Sequence, residues 1–577
     1  MPSSRLLPLA LLCGLSLFSL SLAADPIQVS IDPKPATNYV VESNFLGISF
    51  ELSFMDEYFG NDTSTIPKTM MTYLSALRSR TGSNPLLLRV GGNSMDSSTY
   101  VPTQGSPMLQ LQSGPANSNN QPVNYGPVLW DVMNKVSNDL NGTKYLVGLS
   151  LLDPNSSNIP LLAGGAQKSL GDHLDAFLLG NEPDLYTSHG NRPGLKNYTV
   201  QNYLDEFRNV SDHLTNTVGG NILDQHDIAG PTICCNWNLD ELLNEGYITK
   251  FNNFLKYITL QHYPQNNCFG SYAYELPWYL QHANVVTLGA WQRSGIALAR
   301  SASKPVVMSE FNSASCGGIP KISDTFGVGT LWTVDYTLQL ASVGYTTAYL
   351  HTRERGISYN LFAPPAGPNG GPGAWTTNPP YYALLATTEI LKSANGGIVV
   401  DLNLAQSKTD LNAKVAGYAV YDSGNFTVQQ IALFNYANTT SATSTFTLPS
   451  SVFATNAKSS VIVKYLTSPS MNESTNIAWG GQTLAGVSDG QLVSSSSSWV
   501  KANDKLNCSN GCTVTVPGTT LAVVFASGQS DTKPALQASD AGKNAAVPAR
   551  LHGIGASMTI LVALLAIFVV ANVQLLS

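Results

Sequence analysis

Eight short apolar runs, rich in β-branched residues, alternate with longer segments of helical period between about residues 44 and 352. Alternation of this kind is typical of a parallel sheet covered by helices. Eight consecutive units predict an α/β fold, a (β/α)8 or TIM barrel, over residues 44–394. The predicted strands are residues 45–51, 86–92, 145–152, 176–182, 228–233, 257–263, 305–311 and 346–352.

The sequence pattern changes after Asn395. From there to residue 527, short strand-like segments are separated by Ser, Thr, Asn and Gly turns, and long helical segments are missing. This pattern predicts an additional C-terminal antiparallel β-sandwich domain over residues 395–527. A strand-like segment at residues 27–31, within the N-terminal stretch 25–43, precedes the barrel and is predicted to pair with the β-domain.

Most of the predicted barrel strands end in a polar or charged residue. The active site of such a barrel lies at the carboxyl ends of its strands, so these residues are candidates for function. A glutamate that follows a buried apolar run requires an explanation, because burying an unpaired charge is costly. For each glutamate taken alone, a structural salt bridge inside the barrel is the alternative. The residues concerned are Glu51, Arg89, Asn93, Asn181, Glu182, His262, Tyr263, Glu310, His351 and Arg353.

Glu182 and Glu310, which close the fourth and seventh predicted strands, form a more specific pattern together. Two carboxyl groups on opposite sides of one barrel mouth supply the acid and the nucleophile of a retaining glycoside hydrolase. An ionised Glu310 would raise the pKa of Glu182, and burial acts in the same direction, so Glu182 keeps the proton that it must donate. Asn181 is then a candidate to bind a sugar 2-hydroxyl, and Tyr263 to bind the nucleophile.

Both ends of the chain resemble targeting signals. Residues 1–24 contain one positive charge at Arg5, an apolar run and two small residues, which predicts a cleaved secretory signal peptide. Residues 547–577 end in an almost entirely apolar segment without a basic residue after it. With the small residues and polar spacer before it, this predicts a removed GPI signal, and residues 528–546 are the linker and attachment region. An uncleaved N-terminal anchor and a C-terminal transmembrane helix are the alternatives.

Glycosylation acceptors and cysteines favour an extracellular, cell-surface location. Without Cys13 of the signal, six cysteines remain, an even number suited to disulfides in an oxidising compartment. Cys508 and Cys512 are close enough to close a tight loop, whereas the pairing of the other four cysteines stays open. A zinc site is the competing interpretation, disfavoured because no His lies at ligand spacing. Asn-X-Ser/Thr occurs at Asn61, Asn141, Asn155, Asn197, Asn209, Asn425, Asn438, Asn472 and Asn507.

The charge balance limits the class of partner. The chain has 30 Lys and Arg against 37 Asp and Glu, which gives a net charge of −7, and it contains no basic run. Nucleic acid is therefore excluded as the main ligand, and a sulfated polyanion held along a basic cleft is disfavoured. A carbohydrate, and the membrane through a GPI anchor, are the expected partners.

Four segments together resemble clan A glycoside hydrolases, and most closely family 79, which contains β-glucuronidases and heparanases. The resemblance covers about residues 27–527 and implies Glu182 as the acid/base and Glu310 as the nucleophile. The segments are LLLRVGGNS at residues 86–94, GNEPD at 180–184, LQHYP at 260–264 and SEFNS at 309–313.

The loop after the eighth strand, HTRERGISY at residues 351–359, offers donors for a glucuronate carboxylate, among them His351. Similarity to the glucuronidases of the family favours Tyr359 and the neighbouring backbone over Arg353 or Arg355, whose alternative is pairing with Glu354 or exposure at the surface.

Two acidic residues, Glu51 and Asp96, are the candidate partners of sugar hydroxyls. Asp96 is equally suited to cap a loop.

The leading hypothesis is a retaining exo-β-glucuronidase that needs no metal or cofactor and acts on terminal β-linked glucuronic acid or its 4-O-methyl ether. Another clan A glycosidase, such as a β-glucosidase or an α-arabinofuranosidase, is the first alternative. A GPI-anchored carbohydrate-binding protein that has lost catalysis is the second, and the presence of both glutamates with Asn181 and Tyr263 weighs against it. The sequence leaves the oligomeric state open.

Overall fold

A computed structural model describes residues 25–112, 121–192, 194–366, 374–453 and 460–526. The predicted signal peptide, the linker and attachment region, and the C-terminal signal or anchor lie outside these residues. Within the described ranges, no helix has both the length and the apolar character needed to cross a membrane.

The eight predicted barrel strands all form, and they close into one parallel barrel. The closure joins the last strand to the first, with Ala348 opposite Leu46 and Leu350 opposite Ile48. In chain order, the strands β1 to β8 are Leu46–Glu51, Leu86–Gly91, Thr143–Leu149, Leu174–Leu179, Ile228–Ile233, Leu255–His262, Val306–Phe311 and Tyr345–Thr352.

One main helix follows each barrel strand. Pro127 and Pro379 open the second and eighth of these helices, where the missing N–H costs no hydrogen bond. Thr199 and Asn202 form a capping box at the start of the fourth. The helices α1 to α8 are Lys68–Arg78, Pro127–Leu140, Asn158–Leu170, Val200–His213, Leu239–Asn244, Arg293–Ser301, Thr333–Val343 and Pro379–Ile390.

Shorter elements complete the connections of the barrel and the β-domain. Further α-helices are Met55–Phe59, Tyr247–Phe251, Leu276–Tyr279 and His282–Gly289, and a π-helical segment, Phe326–Trp332, leads into α7. The 3₁₀ turns are Leu52–Phe54, Asn93–Asp96, Gly171–His173, Pro183–Leu185, Ile222–Gln225, Leu404–Gln406 and Ser450–Val452. Short strand pairs outside the main sheets involve Thr99–Tyr100, Leu109–Leu111, Val123–Tyr125, Phe362–Ala363 and Thr376–Thr377.

Apolar side chains fill the interior of the barrel and exclude water from it. Because side chains alternate along a strand, Arg89 and His351 point to the same side as Leu87 and Tyr349, one layer nearer to the carboxyl ends. The packed core therefore forms the floor on which the polar residues lie. The interior cluster is Leu87, Leu146, Ala176, Leu178, Ala229, Val307 and Tyr349.

The C-terminal part of the chain forms two antiparallel β-sheets that share one core. Ile431 and Val463 of the larger sheet pack in the same cluster as Phe446 and Val514 of the smaller. This β-rich domain and the barrel confirm the predicted fold class. Its strands β9 to β16 are Gly397–Asp401, Val415–Asp422, Val428–Asn435, Ser444–Leu448, Ser460–Thr467, Asp504–Asn507, Cys512–Val516 and Thr520–Phe525.

Both sheets of the β-domain include a strand from the segment that precedes the barrel. Val40–Val41 pairs with β9 in the larger sheet, whose order continues β10, β11, β16 and β13. Ile27–Gln28 pairs in parallel with β12 in the smaller sheet, which β15 completes. The strand β14 and the short strands Ala478–Trp479, Gln482–Thr483 and Val493–Ser494 extend the larger sheet beyond β13.

A buried ionic cluster joins the barrel to the β-domain. His282 contacts both carboxylate oxygens of Asp335 on α7 at 3.0 Å through Nδ1, and Asp401 at the end of β9 at 3.1 Å through Nε2. The hydroxyls of Tyr418 and Tyr436 each donate to Asp335 at 2.6 Å. These five residues are called the interface cluster below.

The six cysteines outside the predicted signal form three disulfides. Cys508 pairs with Cys512, which confirms the predicted tight loop. Cys268 pairs with Cys316, and the neighbours Cys234 and Cys235 pair with each other.

None of the nine predicted glycosylation acceptors is buried. Asn61 and Asn209 are half-buried, and the other seven are exposed.

Candidate active site

Glu310 lies near the end of β7 and is bound from three sides. Arg89 donates from Nη1 to its Oε2, and the Tyr263 hydroxyl donates to its Oε1 at 2.7 Å. His351 Nε2 lies 3.8 Å from the same Oε1. Only 7% of Glu310 is exposed, so these partners replace the water that an exposed carboxylate would bind.

Arg89 connects Glu310 to the loop that carries the second glutamate. Its guanidinium is fully buried, and Nη2 donates to Asn181 Oδ1 at 3.1 Å. The Asn181 amide in turn donates to Asn93 Oδ1 at 2.9 Å. The structure thus brings together Asn181, Tyr263 and Glu310, as the sequence predicts.

Glu182 follows β4 in a left-handed backbone conformation, with φ +46°. Its N–H donates to Thr232 O at 3.2 Å, which ties the turn to the end of β5. When the amide nitrogen of Gln261 faces Glu182, it donates to Oε1 at 3.1 Å. A β-carbon in this backbone region is unfavourable, and such conformations concentrate at functional sites.

The two glutamates have opposite pKa shifts. Burial raises the pKa of Glu182 well above its usual value, and the charges of Glu310 and Asp184 add to that effect. Burial alone would also raise the pKa of Glu310, but the charges of His351 and Arg89 and the hydrogen bonds from Arg89 and Tyr263 lower it to about 2. The opposite shifts favour a proton on Glu182 and a negative charge on Glu310.

Glu51 and His351 form the third side of the site. His351 bridges Ser49 Oγ at 2.9 Å and Glu51 Oε2 at 3.4 Å, while Glu51 Oε1 accepts from the N–H of Ser94 at 2.8 Å. Burial would raise the pKa of Glu51, but the hydrogen bond and charge of His351 lower it. Gly92, with φ +83°, is required beside this carboxylate, because a β-carbon there would lie 2.3 Å from Glu51 Oε2.

Asp96 ends the 3₁₀ turn after β2 and accepts a hydrogen bond from Ser150 Oγ at 2.6 Å. Burial raises its pKa to about 7, despite the opposing effect of the Ser150 hydrogen bond and the Arg192 charge. It is part of the same electrostatic environment, because its charge acts on the pKa of Glu182.

Tyr359 and Arg353 lie together beside Glu51 and His351. Tyr359 is 1% exposed, and its ring centre is 6.1 Å from that of His351. Arg353 is 4% exposed and pairs through Nε with Glu354 at 2.9 Å, as the alternative interpretation expects. Arg355 instead pairs with Glu57 at 3.3 Å.

Three further residues belong to the site, and the sequence alone indicates a role for none of them: Arg89, Ser49 and Gln261. Ser49 Oγ accepts from Arg89 Nη1 at 2.9 Å, and Gln261 lies 2.9 Å from Asn181 Oδ1. A detectable signal existed for Arg89, because a charged residue inside the apolar run LLLRVGG needs a buried partner. Ser49 and Gln261 carry no charge and offered no comparable signal.

The arrangement is suited to acid–base and nucleophilic chemistry. It holds the Glu310 carboxylate, the Glu182 carboxyl group with its raised pKa, and the buried Arg89 guanidinium at the mouth of a closed barrel. Among the described residues, no group of three or more His, Cys, Asp or Glu side chains is placed to hold a metal ion.

Comparison with known families and proteins gives a consistent result. Residues 417–523 match the family described as glycosyl hydrolase family 79 C-terminal beta domain. The chain is 25% identical over 530 residues to a protein named beta-glucuronidase from Neurospora crassa, a match that covers 82% of this chain and 90% of that protein.

Solved structures share the fold. A 4-O-alpha-L-rhamnosyl-beta-D-glucuronidase from Fusarium oxysporum 12S, in complex with Rha-GlcA, superposes with a TM-score of 0.70 at 20% identity, over 86% of this chain and 100% of that one. AbfB, a family 51 alpha-L-arabinofuranosidase from Bifidobacterium longum, gives a TM-score of 0.53 at 12% identity, over 87% of this chain and 99% of that one.

Proposed function

Because this chain belongs to glycoside hydrolase family 79, we propose that it is a retaining exo-β-glucuronidase that hydrolyses terminal β-linked glucuronic acid. The observation that carries the proposal is the pair of buried glutamates with opposite pKa shifts, which favour a proton on Glu182 and a charge on Glu310. A double-displacement mechanism needs these two states at once.

In the first step, the ionised Glu310 attacks the anomeric carbon while Glu182 donates its proton to the glycosidic oxygen. The bond to the aglycone breaks, and a covalent glycosyl–enzyme ester forms. In the second step, Glu182, now ionised, removes a proton from water, and the water oxygen displaces Glu310 from the anomeric carbon. Arg89 and Tyr263 orient Glu310 throughout and stabilise its charge when it leaves.

The proposed substrate class draws on the site and on the relatives. Tyr359 is buried beside His351, where its hydroxyl and the neighbouring backbone N–H groups are suited to hold a sugar carboxylate. The relatives from N. crassa and F. oxysporum carry names that include a glucuronidase activity. The roles of Asn181, Glu51 and Asp96 in binding sugar hydroxyls, and of His351 in binding the glucuronate carboxylate, are part of the same proposal.

The proposed location is the outer cell surface, with a GPI anchor at the C-terminus. Its support is the order of apolar, small and polar residues at both ends of the sequence, and the accessibility of all nine glycosylation acceptors. Release of the protein from intact cells by a phosphatidylinositol-specific phospholipase is the expected result. Retention after that treatment would favour the transmembrane alternative.

The test of the substrate is hydrolysis of p-nitrophenyl β-D-glucuronide beside the matching β-glucoside and α-arabinofuranoside, with protein secreted from a eukaryotic host. We expect a preference for the glucuronide of at least about 10²-fold in kcat/KM, because a site built for a carboxylate leaves polar groups unpaired with a neutral sugar. Preference for a neutral glycoside would contradict the proposed substrate class but would still agree with the proposed hydrolysis of a glycosidic bond.

The test of the mechanism is covalent trapping with a 2-deoxy-2-fluoro glucuronide that has a good leaving group. The expected product is a peptide carrying one sugar on Glu310, found by mass spectrometry after digestion. A label on another residue, or inverted configuration in the first-formed product, would contradict the retaining assignment.

A further inference from the structure

The neighbouring cysteines Cys234 and Cys235 form a disulfide in the loop directly after β5. We propose that this disulfide, with Asp184 and Asn236, forms a clamp that positions Glu182 for proton transfer. The inference rests on the proposed function, because it assigns positioning residues to the acid/base of that reaction. These four residues are called the clamp below.

Three consecutive backbone amides bind the carboxylate of Asp184. The N–H groups of Cys234, Cys235 and Asn236 donate to it at 3.1, 2.8 and 2.7 Å. The Asn236 side chain also donates to the Asp184 carbonyl oxygen at 3.0 Å. Successive N–H groups directed at one point form an anion-binding concavity, and hydrogen bonds to an ionised acceptor are stronger than neutral ones.

The end of β5, directly before this loop, holds the chain at Glu182 and on its N-terminal side. Thr232 accepts from the Glu182 N–H through its carbonyl oxygen at 3.2 Å, and its hydroxyl donates to Gly180 O at 2.8 Å. Residues 180, 182 and 184 are therefore all fastened to residues 232–236. Glu182 needs such support, because its left-handed backbone, at φ +46°, is unfavourable for a residue with a side chain.

The disulfide explains how the amides stay aligned. A bond between adjacent side chains closes a small ring around the peptide unit of Cys234 and Cys235, which limits rotation there. The Cys235 N–H belongs to this peptide unit and therefore faces Asp184 before a substrate arrives, so less reorganisation accompanies binding. Cys234 is 3% exposed and Asp184 5%, whereas Cys235 and Asn236 are exposed, so the clamp lies where the buried site meets the surface.

Charge adds a second effect. Among the described residues, Asp184 has no Lys or Arg partner within ion-pair distance, so amides alone compensate its negative charge. That charge stays beside Glu182 and contributes to its raised pKa, after burial and Glu310. The clamp therefore fixes both the place of the proton donor and part of its tendency to keep the proton.

The test compares two variants, Asp184→Asn and the double substitution Cys234→Ser with Cys235→Ser, on two glucuronides that differ in leaving group. Methyl β-D-glucuronide needs proton donation, whereas 2,4-dinitrophenyl β-D-glucuronide does not. We expect kcat/KM to fall about 10- to 100-fold on the methyl glycoside, because misplacement of a catalytic group by about 1 Å has costs of this size. On the dinitrophenyl glycoside the fall should stay below about threefold.

The matched control is the double substitution Cys508→Ser with Cys512→Ser, which removes a disulfide from the β-domain. It should leave both kcat/KM values unchanged. The pH dependence adds a readout that a purely structural role would not move. In Asp184→Asn the loss of a neighbouring negative charge should shift the alkaline limb of kcat/KM to lower pH, since Glu182 then releases its proton more easily.

Equal losses in kcat/KM on both substrates would overturn the proposal, because they would indicate that the clamp supports folding in general and not the position of Glu182. A change in KM alone on the methyl glycoside would overturn it in favour of direct aglycone contact. If Asp184→Asn does not fold, the double cysteine variant provides the test. Its loss in kcat/KM on the methyl glycoside is then compared with its loss on the dinitrophenyl glycoside. If the wild-type protein cleaves only a neutral glycoside, the proposed substrate is wrong, and the clamp is tested with the same two leaving groups on that glycoside.

Discussion

The active site and the interface cluster both bury carboxylates beside a histidine, but they compensate the charge differently. In the interface cluster, His282 lies between Asp335 and Asp401, and two tyrosine hydroxyls donate to Asp335. Burial lowers the pKa of His282, but the two aspartates outweigh it and raise that pKa to about 10. The histidine is therefore charged, and each aspartate has a partner.

In the active site, the buried acids outnumber their partners. Arg89 and His351 stabilise the charge of Glu310, and His351 that of Glu51, but Glu182 has no cation of its own, and burial raises its pKa. A buried charge is tolerated when it is paired, and an unpaired acid becomes neutral instead. Incomplete compensation of charge, rather than burial itself, therefore distinguishes the active site from the interface cluster.

The largest expected effect is that of Glu310→Gln, which removes the ionised member of the catalytic pair. We expect kcat to fall on the order of 10⁴-fold or more, as for other essential nucleophiles. The matched control is Glu473→Gln in the β-domain, because hydrogen bonds from Thr475 and Asn476 overcome burial and lower the pKa of Glu473 to about 2 as well. Loss of activity in both variants, or in neither, would contradict the assignment of Glu310 as the nucleophile.

Glu182→Gln removes the protonated member, and its effect should depend on the leaving group. On methyl β-D-glucuronide we expect kcat/KM to fall about 10²- to 10⁴-fold, the usual contribution of general acid catalysis. On 2,4-dinitrophenyl β-D-glucuronide the fall should be small, because that leaving group departs without a proton. Similar losses on both substrates would show that Glu182 is not the acid.

His282→Ala tests the structural cluster. The substitution leaves Asp335 and Asp401 buried without their cation, which should cost about 3–5 kcal/mol of the free energy of unfolding. Urea titration of the variant measures this loss, and kcat/KM of the folded fraction should be unchanged. The control is Lys135→Ala, whose partner Asp139 is 44% exposed, and its effect should stay below about 1 kcal/mol. A change in kcat/KM with His282→Ala would contradict the separation of the two clusters.

The smallest expected effects are those of pH. The kcat/KM value, which depends on the active site, and the free energy of unfolding, which depends on the interface cluster, should change over different pH ranges. kcat/KM should fall on the acid side as Glu310 takes up a proton, near its pKa of about 2, and on the alkaline side as Glu182 loses one, above the usual value of 4.5. Because the pKa of His282 rises from 6.5 to about 10 on folding, its stabilising contribution is complete below pH 6.5 and disappears as pH rises through 10.

These limbs are measured by initial rates and by urea midpoints over the same buffers. A stability loss that follows the alkaline limb of activity would show that the two clusters are coupled.

The barrel was predictable because its signal is local and repeated. Each of the eight strands lies within a few residues of its predicted position, since an apolar run between polar segments has few other ways to be buried. The two glutamates were predictable for a related reason, because a carboxylate at the end of such a run has to lie at the barrel mouth.

The partners of those glutamates were less accessible to sequence reasoning. The hydrogen bond from Arg89 to Glu310 joins residues 221 positions apart in the sequence, and the hydrogen bond between Ser49 and His351 joins residues 302 positions apart. No local pattern encodes such distances, so they follow only from closure of the barrel. The pairing of Cys268 with Cys316 across two loops was open for the same reason.

Local sequence patterns are enough to predict the order of strands and helices, the change to a β-domain near residue 395 and the positions of the two central glutamates. These features depend on the periodicity of apolar residues and on the identity of the residue that ends each strand. The tertiary structure alone decided which carboxyl group keeps its proton. Protonation depends on burial and on charges within a few ångströms, and those neighbours come from strands that are far apart in the chain.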